Sequence, residues 1–197
     1  MQMKHALPLG CLLMAAGNAE RFGQNKLSAV FDGKTLIERA MDAIPREQFA
    51  RVLVVTQYAE IIALSKRFGF EALLNPHPER GQSETIRLGT AALQAGCRAI
   101  CYMVADQPLL EQESMAREID LYRAHPNCIV ALGHGGVRGN PCIFPSRFFP
   151  ELLALTGDVG GSRVIRAHED ALLLCEVDAR QLSDVDTRAS LDALSPP

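Results

Sequence analysis

A chain of 197 residues, 48% hydrophobic, with 20 basic and 23 acidic residues and a net charge of -3, is long enough to bury one sizeable core and has the size of a single domain over 1–197. That balance excludes a basic field for a nucleic-acid backbone and a Lys and Arg cluster suited to an anionic membrane, so small molecules are the expected partners. The apolar stretch from Leu9 to Ala16 is far shorter than a membrane span, and six cysteines without a C-x-x-C pair predict reduced core thiols in a cytoplasmic protein.

In chain order, apolar runs of strand length alternate with segments of helical period. Strands are expected near Leu9 to Met14, Arg51 to Thr56, Glu71 to Leu74, Ala99 to Val104, Ile129 to Leu132, Cys142 to Phe144 and Leu172 to Val177. Helices are expected over Leu36 to Ile44, Ala59 to Phe68, Thr85 to Ala95 and Glu113 to Ala124, each with apolar residues at three- and four-residue spacings. The alternation predicts an α/β fold, with a mainly parallel sheet covered by helices on both faces. Gly and Pro collect where strands end, at Gly17 to Gly23, Pro76 to Gly81, Gln107 to Pro108 and Gly133 to Pro141. In open α/β sheets those carboxyl ends are where ligands bind.

The most informative stretch follows the first strand: Ala15-Ala16-Gly17-Asn18-Ala19-Glu20-Arg21-Phe22-Gly23-Gln24-Asn25-Lys26. Small side chains let backbone N–H groups approach a polyphosphate, Arg21 can fork onto phosphate oxygens, and Lys26 adds a point charge. Neither G-x-x-x-x-G-K-[ST] nor G-x-G-x-x-G is present, which argues against a P-loop NTPase or a classical dinucleotide fold. Each residue taken singly also fits a Gly-rich turn with solvated charges. Asp106 follows an apolar strand and precedes Gln107-Pro108, which leaves a carboxylate at the ligand edge. One such group, with substrate phosphates, suffices to recruit magnesium, although a turn-capping Asp fits the same position. Asp184 and Asp186 fall on one side of an extended segment, and the sequence does not choose between them as a second carboxylate. Ser83 is placed to cap the helix beginning near Thr85. The Gly-dense stretch Gly133 to Pro141 is read as a loop shaped around an acceptor, with His134 as a solvated side chain. The stretch Thr156 to Arg163 offers N–H groups and Arg163 to an acceptor phosphate, and Asp158 there is an acceptor-side residue or a helix cap.

The loop A-A-G-x-x-x-R-F-G-x-x-K resembles the signature of the molybdopterin nucleotidyltransferase-like family, particularly its cytidylyltransferase branch. Gly81-Gln82-Ser83-Glu84-Thr85-Ile86-Arg87-Leu88-Gly89, Ala105-Asp106-Gln107-Pro108-Leu109, Gly139-Asn140-Pro141 and Thr156-Gly157-Asp158-Val159-Gly160 are similar to the family's later blocks, in the same order. The departures are Ala19 where many relatives have Ser, Asn140 where many have His, and the lack of a Pro after Asp184-Val185-Asp186-Thr187. The resemblance implies a single-domain, Rossmann-like nucleotidyltransferase with Mg2+ as its cofactor. It would use an NTP, with CTP favoured because Ala16 stands where guanylyl enzymes usually carry Gly, and a molybdopterin-type acceptor destined for an apo-molybdoenzyme client. Carried onto these positions, Arg21, Lys26 and Asp106 are catalytic. Ala15, Ala16, Gly17, Arg21, Lys26, Gly81, Gln82 and Ser83 bind the nucleotide, Gly139, Asn140, Pro141 and Asp158 face the acceptor, and Asp106 and Asp186 hold the metal. The rival readings are a cytidylyl- or uridylyltransferase for a sugar or polyol phosphate, and a non-catalytic factor that hands the molybdenum cofactor on.

Overall fold

The structure is a computed structural model, and it describes residues 8–17 and 25–194. The strands are β1 (Leu9–Ala15), β2 (Val30–Phe31), β3 (Lys34–Thr35), β4 (Arg51–Thr56), β5 (Glu71–Leu74), β6 (Ala99–Val104), β7 (Ile129–His134), β8 (Val137–Pro145) and β9 (Leu172–Glu176). The helices are α1 (Leu36–Asp42), α2 (Ala59–Arg67), α3 (Gln82–Leu93), α4 (Gln112–Ala124), α5 (Phe149–Leu153), α6 (Ser162–Ala167) and α7 (Arg188–Leu194). Seven strands form one sheet in the order β5-β4-β1-β6-β8-β7-β9, and β2 and β3 form a separate two-stranded ribbon. Every pairing in the large sheet is parallel except those of β8, which runs antiparallel to β6 and to β7. The expected mainly parallel, Rossmann-like sheet is therefore present.

β1 is buried on both sides because its residues serve two cores in alternation. Cys11, Leu13 and Ala15 join a cluster with Ile37 and Met41 of α1, Ile61 of α2, and Met115 and Ile119 of α4. Leu12 points the other way, into a cluster with Ile86 and Leu93 of α3 and Phe149 and Leu152 of α5. A strand that must be apolar on both faces reads as a continuous hydrophobic run, which is how Leu9–Ala15 appears in the sequence. A third, small core joins Phe31 and Leu36 to Val185 and Leu191, which seats the C-terminal segment beside the ribbon. Helix α1 begins in a capping box, with Thr35 accepting from Glu38 N at 3.3 Å and Glu38 Oε2 accepting from Thr35 N at 2.9 Å.

The reversal of β8 matters for function. Because Cys142 pairs with Tyr102 and Pro145 with Ala99, the start of β8 lies beside the carboxyl end of β6. The segment expected as a loop from Gly133 to Pro141 is instead a hairpin. Gly133 pairs with Arg138 and His134 with Val137 around the Gly135-Gly136 turn, so Gly139, Asn140 and Pro141 sit within a strand. All six cysteines are free thiols and only Cys128 is not fully buried. Among the described residues no helix is long and apolar enough to cross a membrane.

One buried group works against the fold. Glu118 of α4 is fully inaccessible, and neither carboxyl oxygen has a hydrogen-bond partner. Its neighbours include the thiols of Cys101, Cys142 and Cys175, whose ionisation its charge opposes. Burial pushes the Glu118 carboxyl well above its ordinary value of 4.5. The folded state therefore holds this proton more tightly than the unfolded chain does. The cost is absent below about pH 4.5 and grows as the pH rises above it. Replacing Glu118 by Met, which is apolar and of similar length, is expected to stabilise the protein at neutral pH by about 1–3 kcal/mol. Chemical denaturation at pH 5 and pH 8 checks this: the gain should be larger at pH 8.

Candidate active site

Several segments meet at the carboxyl edge of the sheet to form a cleft of about 710 Å3. Its floor is the end of β1 and the start of the following loop, where Ala15, Ala16 and Gly17 line it. Ala15 and Ala16 are buried while Gly17 is exposed. Arg21, the other expected cation of this loop, lies outside the described residues. Lys26 enters the cleft from a 3-10 turn, Lys26–Ser28, that Asn25 caps by accepting from Leu27 N at 3.1 Å.

Across the floor stands Asp106, just past β6. Lys26 Nζ donates to Asp106 Oδ2 at 2.6 Å and to Asp186 Oδ1 at 3.2 Å, which brings together residues 80 and 160 positions apart in the chain. Loss of water pulls the Lys26 ammonium down in pKa, but attraction and hydrogen bonding to Asp106 outweigh this. With Asp186 adding to it, the net shift is upward, so Lys26 is held as a cation. Val185, fully buried, ties the carboxylates together by donating its N–H to the Asp106 carbonyl at 2.9 Å. Of the two aspartates that the sequence left open, Asp186 lines the cleft. Asp184 is not among the residues lining it, and its carboxyl is raised first by loss of water and then by Asp106.

Asp106 and Asp186 suit a hard divalent cation. Both offer carboxylate oxygens beside a single charge, and Asp106 Oδ1 is buried without a hydrogen-bond partner. Among the described residues no group of three or more His, Cys, Asp or Glu side chains forms a cage of its own. That is the expected donor set for a cation completed by substrate phosphates and water.

The opposite wall is the N-terminus of α3, with Gly81, Gln82 and Thr85 lining the cleft. Ser83 does not cap this helix. It lies inside the first turn, 2% exposed, and Gly81 is the N-cap without a side-chain bond. The capping is done from a distance: Asp158 Oδ1 accepts from Gln82 N at 3.2 Å and the Gly157 carbonyl from Ser83 N at 3.4 Å. Asp158 thus serves α3 rather than the α6 helix that follows it, and also lines the cleft. The steric role expected of Gly81 is likewise toward this segment. At φ 82° and ψ −172°, a Cβ there would lie 2.6 Å from Asp158 Cα. Glu79 and Thr85 are wall residues that the sequence reading missed. Thr85 is fixed by Asn75, whose side-chain amide donates to its hydroxyl at 3.2 Å.

Gly139, Asn140 and Pro141 are not among the residues lining this cleft, although β8 begins at the same edge of the sheet. Gly139 is packed so closely that a Cβ would lie 2.9 Å from Leu182 Cδ2, and its carbonyl accepts from the Cys142 thiol at 3.3 Å. Arg138 donates to Ser162 at 3.2 Å, linking the hairpin to α6. His134 is exposed, as expected, and its Nδ1 donates to the Val177 carbonyl at 2.9 Å.

Solved structures share this architecture. Rv0371c from Mycobacterium tuberculosis H37Rv matches with a TM-score of 0.81 at 23% identity, covering 96% of this chain and 97% of that one. Another structure of Rv0371c, a complex with manganese, matches with a TM-score of 0.74 at 20% identity over 95% and 97%. CMP:2-keto-3-deoxy-manno-octonic acid synthetase complexed with CTP matches with a TM-score of 0.74 at 11% identity over 95% and 96%. The fold is that of the Rossmann-like nucleotidyltransferases. Purine catabolism protein PucB of Bacillus subtilis (strain 168) is 25% identical over 193 residues, covering 92% of this chain and 93% of its own length. The model of the MobA-like NTP transferase domain matches residues 11–172, and the chain belongs to that family of nucleotidyltransferases.

Proposed function

We propose that this nucleotidyltransferase moves CMP from CTP onto a molybdopterin-type cofactor and releases pyrophosphate, using Mg2+, in the cytoplasm, with an apo-molybdoenzyme as the eventual client. The observation that carries the reading is the Lys26, Asp106 and Asp186 cluster on the floor of a cleft between the loop after β1 and the start of α3. Asp106 and Asp186 would hold the metal, in keeping with the manganese complex of the similarly folded Rv0371c. Mg2+ supplies charge neutralisation at the phosphates when bound.

The chain's own groups do the rest. Lys26, together with Arg21, neutralises the triphosphate and holds the α-phosphorus in line with the acceptor's phosphate oxygen. A new bond forms between that oxygen and the α-phosphorus, the bond to the β-phosphate oxygen breaks, and pyrophosphate departs. An already ionised phosphate needs no general base, so His134 is assigned no catalytic role. Gly81, Gln82 and Ser83 are proposed on the nucleotide side, and Asp158 with Gly139, Asn140 and Pro141 on the acceptor side. The preference for CTP rests on the buried Ala16, whose methyl group narrows the floor where guanylyl enzymes resembling this chain carry Gly. The CTP complex of the similarly folded synthetase supports the same base. That synthetase also favours a second reading, with a sugar or polyol phosphate as acceptor. Free thiols support the cytoplasmic placement. A pure hand-off factor has no use for the Lys26 and Asp106 pair.

The test is pyrophosphate release by the purified protein with Mg2+ and each of CTP, GTP, UTP and ATP, with and without molybdenum-loaded molybdopterin. Release is expected only with CTP and the loaded pterin together. A preference for GTP overturns the argument from Ala16, and turnover only with a sugar or polyol phosphate selects the second reading.

A further inference from the structure

We propose that Thr56, Gln57 and Tyr58, at and just beyond the end of β4, are positioning residues for the triphosphate, acting through the backbone of the loop after β1. This rests on the reading that the nucleotide's phosphates lie on that loop. Thr56 Oγ1 donates to the Ala15 carbonyl at 2.8 Å, Gln57 Nε2 to the Ala16 carbonyl at 2.9 Å, and the Tyr58 hydroxyl to the Gly17 carbonyl at 3.1 Å. Ala15 and Thr56 form the last register pair of β1 and β4. Past that point, three side chains in succession continue the hydrogen bonding that the main chains have ended.

In an extended strand consecutive carbonyls alternate sides. Here three in a row are drawn to residues 56–58, so the chain has turned. Across a trans peptide the carbonyl and the next N–H point in opposite directions. Fixing the Ala15 and Ala16 carbonyls toward β4 therefore turns the N–H groups of Ala16 and Gly17 away from it, both at residues that line the cleft. Successive N–H groups facing one way form an anion-binding concavity, whereas a carbonyl rotated into their place would repel a phosphate.

The donors are themselves fixed. Thr56 is fully buried, and its oxygen accepts from Tyr58 N at 3.1 Å, which leaves its single proton for Ala15. Loss of water, and then Glu60 nearby, push the Tyr58 phenol up, so it remains a donor across the working pH range.

The experiment uses the full chain, with inorganic tripolyphosphate plus Mg2+ and CTP plus Mg2+ as calorimetric probes, and KM and kcat for CTP in turnover. Tyr58→Phe and Thr56→Val are each expected to weaken both probes by about threefold to tenfold. KM for CTP should rise more than kcat falls, and Thr56→Ser, which keeps the hydroxyl, should restore wild-type binding. Tyr58, half-buried, carries the test if Thr56→Val does not fold. Unchanged tripolyphosphate affinity in the folded variants overturns the proposal, as does a Thr56→Ser variant as impaired as Thr56→Val. A wild-type protein that binds CTP but not tripolyphosphate overturns it while leaving the proposed function standing. Failure to bind either probe removes both.

Discussion

Replacing Asp106 by Asn is expected to lower kcat/KM for the transferase reaction by about a thousandfold or more while leaving the chain folded. Asn keeps the shape of the side chain and removes its charge. Asp106 is the inner carboxylate of the cluster: its side chain is 19% exposed, against 68% for Asp186. One of its oxygens is buried without a partner while the other takes the shorter bond from Lys26. A charge in that setting acts through less water than the outer one, so its loss should weigh more. The same change at Asp186 is expected to cost less. Binding of Mn2+ in the presence of nucleotide, followed by electron paramagnetic resonance, should be lost with Asp106→Asn and only weakened with Asp186→Asn. The reverse ranking would move the principal metal-holding role to the C-terminal segment. Lys26 still has Asp186 as a partner in the Asp106→Asn variant, so melting should shift by only a few degrees.

The second large effect is expected at Gly81. Its φ of 82° with ψ of −172° is a conformation open almost solely to glycine. A Cβ would meet Asp158 Cα at 2.6 Å, Asp158 N at 2.7 Å and Gly157 C at 2.8 Å. These are backbone atoms with no rotamer to relieve the contact. Gly81→Ala should therefore cost about 2–4 kcal/mol, or roughly 4–16 °C in melting temperature for a chain of this size. The displaced Asp158 would no longer cap the first turn of α3, and kcat/KM should fall by about a hundredfold with the wall of the cleft. Gly69→Ala is the control. That residue also has positive φ, 73°, but nothing lies within 4 Å of its Cβ, so it should lose about 1 kcal/mol and keep its activity. Equal losses of activity in the two variants would show that the packing of Gly81 against Asp158 is irrelevant to the site.

Strands buried on both faces were the most legible part of the fold. Arg51–Thr56 and Ala99–Val104 are apolar runs with clear ends, and the structure gives them those bounds; the short edge strand Glu71–Leu74 also has the expected bounds although it is only partly buried. The first half of β8 was not legible, because Val137-Arg138-Gly139-Asn140-Pro141 is composed like a loop. It is a strand because β7 lies beside it to supply hydrogen-bond partners, a tertiary effect that local propensity does not carry. The short α5 and the ribbon of β2 and β3 were missed for a related reason, since each is too brief to show a period. In the candidate site, Lys26 and Asp106 stood out through the loops that present them, and the structure brings them together. The cap on α3 was assigned to the local Ser83, whereas Asp158, 76 residues from the Gln82 whose N–H it accepts, does that work. Nothing in the stretch Thr56-Gln57-Tyr58 distinguishes it from ordinary polar residues after a strand, and only the folded contacts reveal what it holds.

The reversed strand β8 has a bearing on how selectivity evolves. Its first residues, proposed to face the acceptor, belong to a ladder paired to β7, while the nucleotide side is built from a turn and a helix end. A wall inside a sheet has little conformational entropy to lose when a guest arrives, so its fit is preorganised rather than moulded around the ligand. Such a wall is retuned one side chain at a time, as at Asn140, whereas inserting a residue would shift the register of β8 and turn its buried face outward. Divergence in acceptor choice along this edge should therefore appear as substitutions in the strand, and length changes should be confined to the Gly135-Gly136 turn.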